Sequence, residues 1–219
     1  MEFSQGDRLA QENMEESEWG SEAAPQDVTI FFLQMTDCAL VQSPDSLPHG
    51  ARIERAQHAS PELLRWLYAV VGGPYRWYER LGWSREQWQE ELSVEGSELW
   101  LLYLDGTPAG YCQLQAEVVS SSNLIRTEIE ILYFGLMKWA QGRGLGKTFL
   151  QTVIQRAWDQ DERHALPPVG RVWVHTCSLD GEFALANYMA RGLELYGEES
   201  HQENVLKEPL GAWEAMFAR

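Results

Sequence analysis

The chain predicts a mixed α/β (α+β) domain with antiparallel strands early and a strand-helix-strand-helix unit late. Three observations predict it. Short β-branched and aromatic runs alternate with turn residues through the first half. One long stripe at helical period stands in the second half, between two further strand-like runs. Apolar residues make up 44% of 219, enough for a proper core.

Each element has its own signal. Residues 1–26 hold seven acids against Arg8 alone and read as a solvated, mobile leader, with the folded domain over 27–219. Val28 to Leu33 is rich in β-branched and aromatic residues and predicts a strand. Pro44, Pro48 and Gly50 break the next segment. Ser60-Pro61-Glu62 has the form of an N-cap, a first-turn proline and a first-turn acid, opening a helix to about Val71 that Gly72-Gly73-Pro74 ends. An aromatic segment, Tyr75 to Trp83, comes next. Ser84 and Gln87 then form a capping box for a helix carrying Trp88 and Leu92. Leu99–Leu104 and Ala109–Val118 read as a hairpin across Asp105-Gly106, and Ile125–Leu136 as a further strand.

The clearest helix starts after Gly144. Leu145, Phe149, Leu150, Val153, Ile154, Ala157 and Trp158 share one face. Arg171–Cys177 predicts a strand and Phe183–Arg191 a helix with Gly192 as its C-cap. Two last strands are expected around Leu193–Glu198 and Glu203–Lys207.

Composition narrows the function. With 17 Lys+Arg against 33 Asp+Glu the formal net charge is −16, which argues against broad nucleic-acid binding. No apolar run approaches the ~20 residues of a membrane span, and the N-terminus lacks the basic and apolar regions of a secretory signal. Cys38, Cys112 and Cys177 are far apart and odd in number, giving neither a disulfide framework nor a zinc spacing. A reducing cytoplasm and no metal are the expectation.

Gln141-Gly142-Arg143-Gly144-Leu145-Gly146-Lys147 lies between a strand and the start of the amphipathic helix. Glycines admit positive φ and close approach, and free N–H groups at a helix start favour an anion. Arg143 and Lys147 add charge. A P-loop would need glycine at Gln141, and a dinucleotide-binding turn would need it at Lys147. Gln-x-x-Gly-x-Gly fits without exception. A glycine-rich turn that binds nothing stands as the alternative.

That motif, following Phe134-Gly135-Leu136, resembles the acetyl-CoA signature of the GNAT superfamily of N-acetyltransferases. His175 to Asp180, then Ala184 to Tyr188 and Arg191-Gly192, resemble its later motif in a bacterial-type branch, as does the segment from Tyr75 to Trp83. The resemblance covers about residues 27 to 200. It implies a mostly antiparallel sheet splayed at the strand before the loop. Phe134, Gly135 and Leu136 would pair with the pantetheine arm, Gln141 and the amides of Gly142 to Lys147 would hold the pyrophosphate, and Asn187 would touch the coenzyme. Tyr188 would protonate the departing thiolate, packing on the sheet being its other reading. Glu130 would be the base kept by one branch of the superfamily, the other readings being a water-relayed base or an acid on a solvated strand face. Gly181-Glu182 stands where related sequences carry a side chain that touches the coenzyme.

An alkylammonium must lose a proton before it can attack, so a base is needed. Glu128 and Glu130 share a strand face, and their repulsion raises one apparent pKa. Glu128 is expected at the acceptor with Tyr75, Trp77 and Tyr78, where aromatics and acids suit a cationic amine; core packing is the other reading of those aromatics, Trp83 included. His175 and Cys177 read as packing or pocket wall. The function implied is direct acetyl transfer from acetyl-CoA to a primary amine, small or on a protein. The alternatives are a GNAT-fold acyl-CoA sensor without turnover and an interaction protein using the acidic leader. A homodimer is left open.

Overall fold

The computed structural model describes residues 23–121 and 124–218. Most of the acidic leader lies outside the described residues. Seven strands, β1 (Ala23–Met35), β2 (Ala51–Arg55), β3 (Glu98–Leu104), β4 (Thr107–Ser121), β5 (Leu124–Leu136), β6 (Val169–Cys177) and β7 (Glu194–Leu206), form one sheet in the order β2-β3-β4-β5-β6-β1-β7. Every neighbouring pair is antiparallel except β5 and β6. The helices are α1 (Pro61–Gly72), α2 (Arg85–Leu92), α3 (Leu145–Trp158), α4 (Ala184–Met189) and α5 (Ala212–Ala215).

Two hydrophobic layers cover the sheet. On one face α3 buries Phe149, Leu150, Val153 and Ile154 against Leu33, Ile129, Val172 and Val174. On the other, Leu64, Leu67, Tyr68 and Val71 of α1 and Trp88 of α2 pack on Tyr111 and Tyr133. The local signals act as expected. Ser60 Oγ accepts from the Leu63 amide at 3.2 Å, and Ser84 and Gln87 close a reciprocal capping box. Asp105 (φ 50°) and Gly106 (φ 80°) make a two-residue left-handed turn between β3 and β4.

Four elements differ from the sequence reading. β1 begins at Ala23, inside the expected leader, because Ala23 to Gln26 pair with Leu206 to Glu203 of β7. The two expected last strands are one 13-residue strand, β7. It is a sheet edge, exposed along most of its length, so no apolar alternation marks its polar middle. β2 carries Ile53 between charged neighbours, the composition of a protected edge strand rather than a core one. No local signal marks the short α5. It is held because Leu210 N–H donates to Tyr78 Oη at 2.6 Å and the Arg65 guanidinium donates to the Met216 and Ala218 carbonyls.

Two irregularities in β5 shape the site. Against β4 the register slips between Gln113 and Leu114, leaving Leu132 as an extra residue on β5. Ile129 and Ile131 therefore face α3, while Leu132 and Tyr133 both face α1. The second is that parallel pairing with β6 ends at Glu130–Trp173. Beyond that point the two strands are unpaired and the sheet forks.

Candidate active site

The fork opens a cavity of about 1220 Å³ between Ile131–Leu136 and Val174–Cys177. At one end stands the turn into α3. Gln141 Nε2 donates to the Leu136 carbonyl at 3.1 Å and lies 2.8 Å from Tyr75 Oη, which fixes the turn to the end of β5. Gly142 (φ 73°) and Gly144 (φ 75°) are left-handed, and a Cβ on either would meet only open space. No side chain caps α3, and among the described residues no N–H from Gly142 to Lys147 has a turn or cap partner. A cradle of unfilled donors at a helix start fits a diphosphate. Gly142, Gly144, Leu145, Gly146 and Lys147 line the cavity, as do Phe134, Gly135, Leu136, Gln141 and Asn187. Gly135 also lets α1 approach, since a Cβ there would lie 2.4 Å from Val71 Cγ1.

Arg143 is not brought to the cavity. Its Nε donates to the Trp139 carbonyl at 3.1 Å and its guanidinium sits 5.8 Å from that indole. Lys147 lines the cavity while its Nζ meets Asp45 Oδ2 at 2.6 Å, an exposed pair that is easily exchanged.

Tyr188 reaches the cavity from α4 and packs edge-on against Phe134. Burial, then Asp180 and Cys112, push its pKa well above the ordinary phenol value, so it carries its proton throughout the neutral range.

The other end is walled by side chains. Trp77 lines it, and its Nε1 donates to Asp180 Oδ1 at 3.0 Å, whereas Tyr75 lines the cavity with its hydroxyl at Gln141, on the α3 side. Asp180 also accepts from Thr176 Oγ1 at 2.6 Å and the Cys177 amide at 3.1 Å. Cys177 lines the cavity as a thiol, since burial first and Asp180 next push its pKa to about 12.

Tyr78 is turned away. Its hydroxyl donates to the Gly73 carbonyl at 3.2 Å and anchors the C-terminal segment. Trp83 packs on Trp88, with Arg80 stacked over it. Glu128 does not line the cavity either. Arg126 and Arg171 each reach its carboxylate at 2.6 Å. Burial alone would raise its pKa, but those bonds override burial and hold it below the usual carboxylate range. The expected repulsion within a Glu128–Glu130 pair is therefore neutralised at Glu128.

Glu130 is 8% exposed and sits beside the cavity rather than on its lining. Its Oε1 lies 3.2 Å from Nδ1 of His175, which does line the cavity.

The sequence reading missed several wall residues. Glu79 and Arg80 lie within the aromatic segment, Tyr68 and Tyr133 on predicted elements, and Glu199, His201 and Glu203 on β7. Nothing local marks the β7 residues, because they reach the site only through the pairing of β7 with β1. Behind Tyr133 lies Glu91, which accepts from the Tyr133 hydroxyl at 3.2 Å and meets Arg80 at 3.3 Å. Burial pushes its pKa to about 7, even against the pull of Arg80.

Known proteins share this architecture. The acetyltransferase (GNAT) family model matches residues 61–169. Among solved structures, a GCN5-related N-acetyltransferase from Sphaerobacter thermophilus aligns at 16% identity and TM-score 0.52, over 87% of this chain and 55% of its own. A tandem GNAT protein from the clavulanic acid biosynthesis pathway aligns at 14% identity and TM-score 0.53, over 83% and 55%. A GCN5-related N-acetyltransferase from Kribbella flavida aligns at 16% identity and TM-score 0.50, over 82% and 60%. The chain spans less than two thirds of the length of each of these structures. No curated protein matches it in sequence. The family match and the fold define a domain of the acetyltransferase (GNAT) class. This chain belongs to the GNAT superfamily.

Proposed function

We propose that the protein is an acetyl-CoA-dependent N-acetyltransferase that passes the acetyl group directly to a primary amine. One observation carries this reading: the sheet forks beyond Glu130–Trp173, and the fork runs from a turn of unpartnered amides to a wall of aromatic and acidic side chains. The coenzyme would supply an acetyl thioester. The amides of Gly142 to Lys147, with Gln141 and Asn187, would hold its diphosphate end, and the free backbone edge at Phe134–Leu136 would orient its arm.

Tyr188 serves as proton donor to the sulfur, since a phenol that keeps its proton at neutral pH has one to give. Glu130 supplies basic character at the fork. Because it does not line the cavity, that character reaches the amine through an intermediary. Trp77 and Glu79 favour a cationic acceptor by ring face and charge. A buried thiol at Cys177 is a poor nucleophile, which fits transfer without an acyl-enzyme.

The test is calorimetric titration with acetyl-CoA, followed by thiol release against small amines, polyamines and peptide amines. Micromolar binding with amine-dependent thiol release supports the reading. Binding without release from any amine would point to a sensor, and absence of binding would overturn the coenzyme assignment.

A further inference from the structure

We infer that His175 is the group that takes the proton from the attacking amine, and that Glu130 is a positioning residue that orients and charges it. This deepens the acetyltransferase reading and rests on it.

The fork sets the two residues apart. Glu130 is the last residue of β5 paired with β6, and His175 stands two residues past Trp173, Glu130's register partner, where β6 has parted from β5 and pairs only with β1. Their side chains differ in access. The His175 side chain is 37% exposed and lines the cavity, whereas that of Glu130 is 10% exposed and does not. The two meet at 3.2 Å through Nδ1 and Oε1.

Glu130 Oε1 is buried and has no aligned hydrogen bond among the described residues. A buried carboxylate oxygen demands a donor, and His175 Nδ1, 3.2 Å away, is a nitrogen that can supply one. An imidazole that donates from Nδ1 keeps its lone pair on Nε2, the other edge of the ring. The carboxylate also stabilises the imidazolium that forms on proton uptake.

The step balances. The ammonium first gives one proton to solvent; the neutral amine nitrogen then bonds to the acetyl carbon, and the proton it sheds in doing so goes to His175 Nε2. The carbon–sulfur bond breaks with its electron pair on sulfur, and sulfur takes the Tyr188 proton. Solvent then removes the proton from His175 and returns one to Tyr188. Nothing is oxidised or reduced.

Other charged or titratable groups face this part of the cavity: Glu79 and Arg80 after α1, Asp180 after β6, and Glu199, His201 and Glu203 on β7. The test must therefore separate His175 from His201. Histidine side-chain resonances are followed by NMR against pH in wild type, His175→Gln, His201→Gln and Glu130→Gln. The His175 signal is the one absent from His175→Gln. Its midpoint should fall by about one pH unit or more in Glu130→Gln, as loss of a neighbouring carboxylate requires. The same four proteins are compared in turnover and acetyl-CoA affinity.

His175→Gln should lose about 10²-fold or more in kcat and lose the rising limb of the pH profile, with coenzyme affinity unchanged. Glu130→Gln should keep the limb but move it to lower pH. His201→Gln should keep the limb in place. An unmoved His175 midpoint in Glu130→Gln overturns the pairing. A limb retained in His175→Gln overturns the role in favour of a water relay or of Glu130 itself. Failure of the acetyltransferase reading looks different: wild type would bind no coenzyme or release no thiol, whatever the NMR midpoint shows.

Discussion

The two ends of the cavity are made of different material. The end at α3 is backbone: two left-handed glycines and a run of amide donors over Gly142–Lys147. The other end is side chain, gathered from the segment after α1, from β5 and β6, and from β7 at the sheet edge. A backbone site depends on the turn alone and is blocked by whatever fills it. A side-chain site depends on the whole sheet order and on the protonation of its members. Substitutions at the first should change binding, and at the second turnover and pH response.

The largest expected effect is at the backbone end. Gly144→Asp puts a carboxylate into the space before the α3 amides. Two like charges about 4 Å apart near a protein surface repel by about 4 kcal/mol, or about 10³-fold in affinity. Calorimetry should show acetyl-CoA binding lost while thermal unfolding moves little, because aspartate tolerates a left-handed position. Affinity near wild type would break the comparison at its first term.

Tyr188→Phe removes the proposed proton donor and leaves the ring packed on Phe134. Turnover should fall by about 10²-fold with coenzyme affinity unchanged. An equal loss in affinity would mean that the hydroxyl holds the coenzyme instead.

The side-chain end should also show in stability. Glu91 has a folded pKa of about 7, above the ordinary 4.5. Its contribution is complete below pH 4.5, where folded and unfolded chains both carry the proton. It is lost as pH rises toward 7, since only the unfolded chain sheds that proton freely. Wild type should therefore lose about 1–3 kcal/mol between pH 5 and 8 that Glu91→Gln does not. Urea unfolding at both pH values measures the difference. Parallel losses in the two proteins would show that Glu91 does not set the pH response.

The same contrast explains what the sequence disclosed. Gln141 to Lys147 is contiguous, follows a strand and opens a helix, so its geometry is set by neighbours along the chain. The α3 stripe is likewise readable, because period reports a face directly. The spacing of Glu128 and Glu130 gives them one strand face, yet their fates diverge through partners. Arg126 is two residues from Glu128 and within reach of a local reading, but Arg171 arrives only through the β5–β6 pairing. Tyr78 and Trp77 are adjacent residues with the same local signal, and tertiary contacts send only Trp77 to the cavity. His201 and Glu203 sit in a polar strand with no pattern, legible only after β7 is placed against β1.

Charge counted along the chain misleads in the same way, and the smallest predicted effect makes the point. Arg143 and Lys147 look equivalent around the glycine turn. In the fold, Arg143 is committed to the Trp139 carbonyl and ring, outside the cavity, whereas Lys147 lines it and is held only by an exposed partner, Asp45. Releasing Lys147 from that partner costs little, because exposed ion pairs are worth about 0–1 kcal/mol. Lys147→Ala should therefore weaken acetyl-CoA by several-fold at low salt and by less at physiological ionic strength. Arg143→Ala should change affinity by less than about twofold at either, the range of an ordinary surface substitution. A tenfold loss in Arg143→Ala would show that the guanidinium leaves Trp139 for the diphosphate, and that the backbone end relies on a side chain after all.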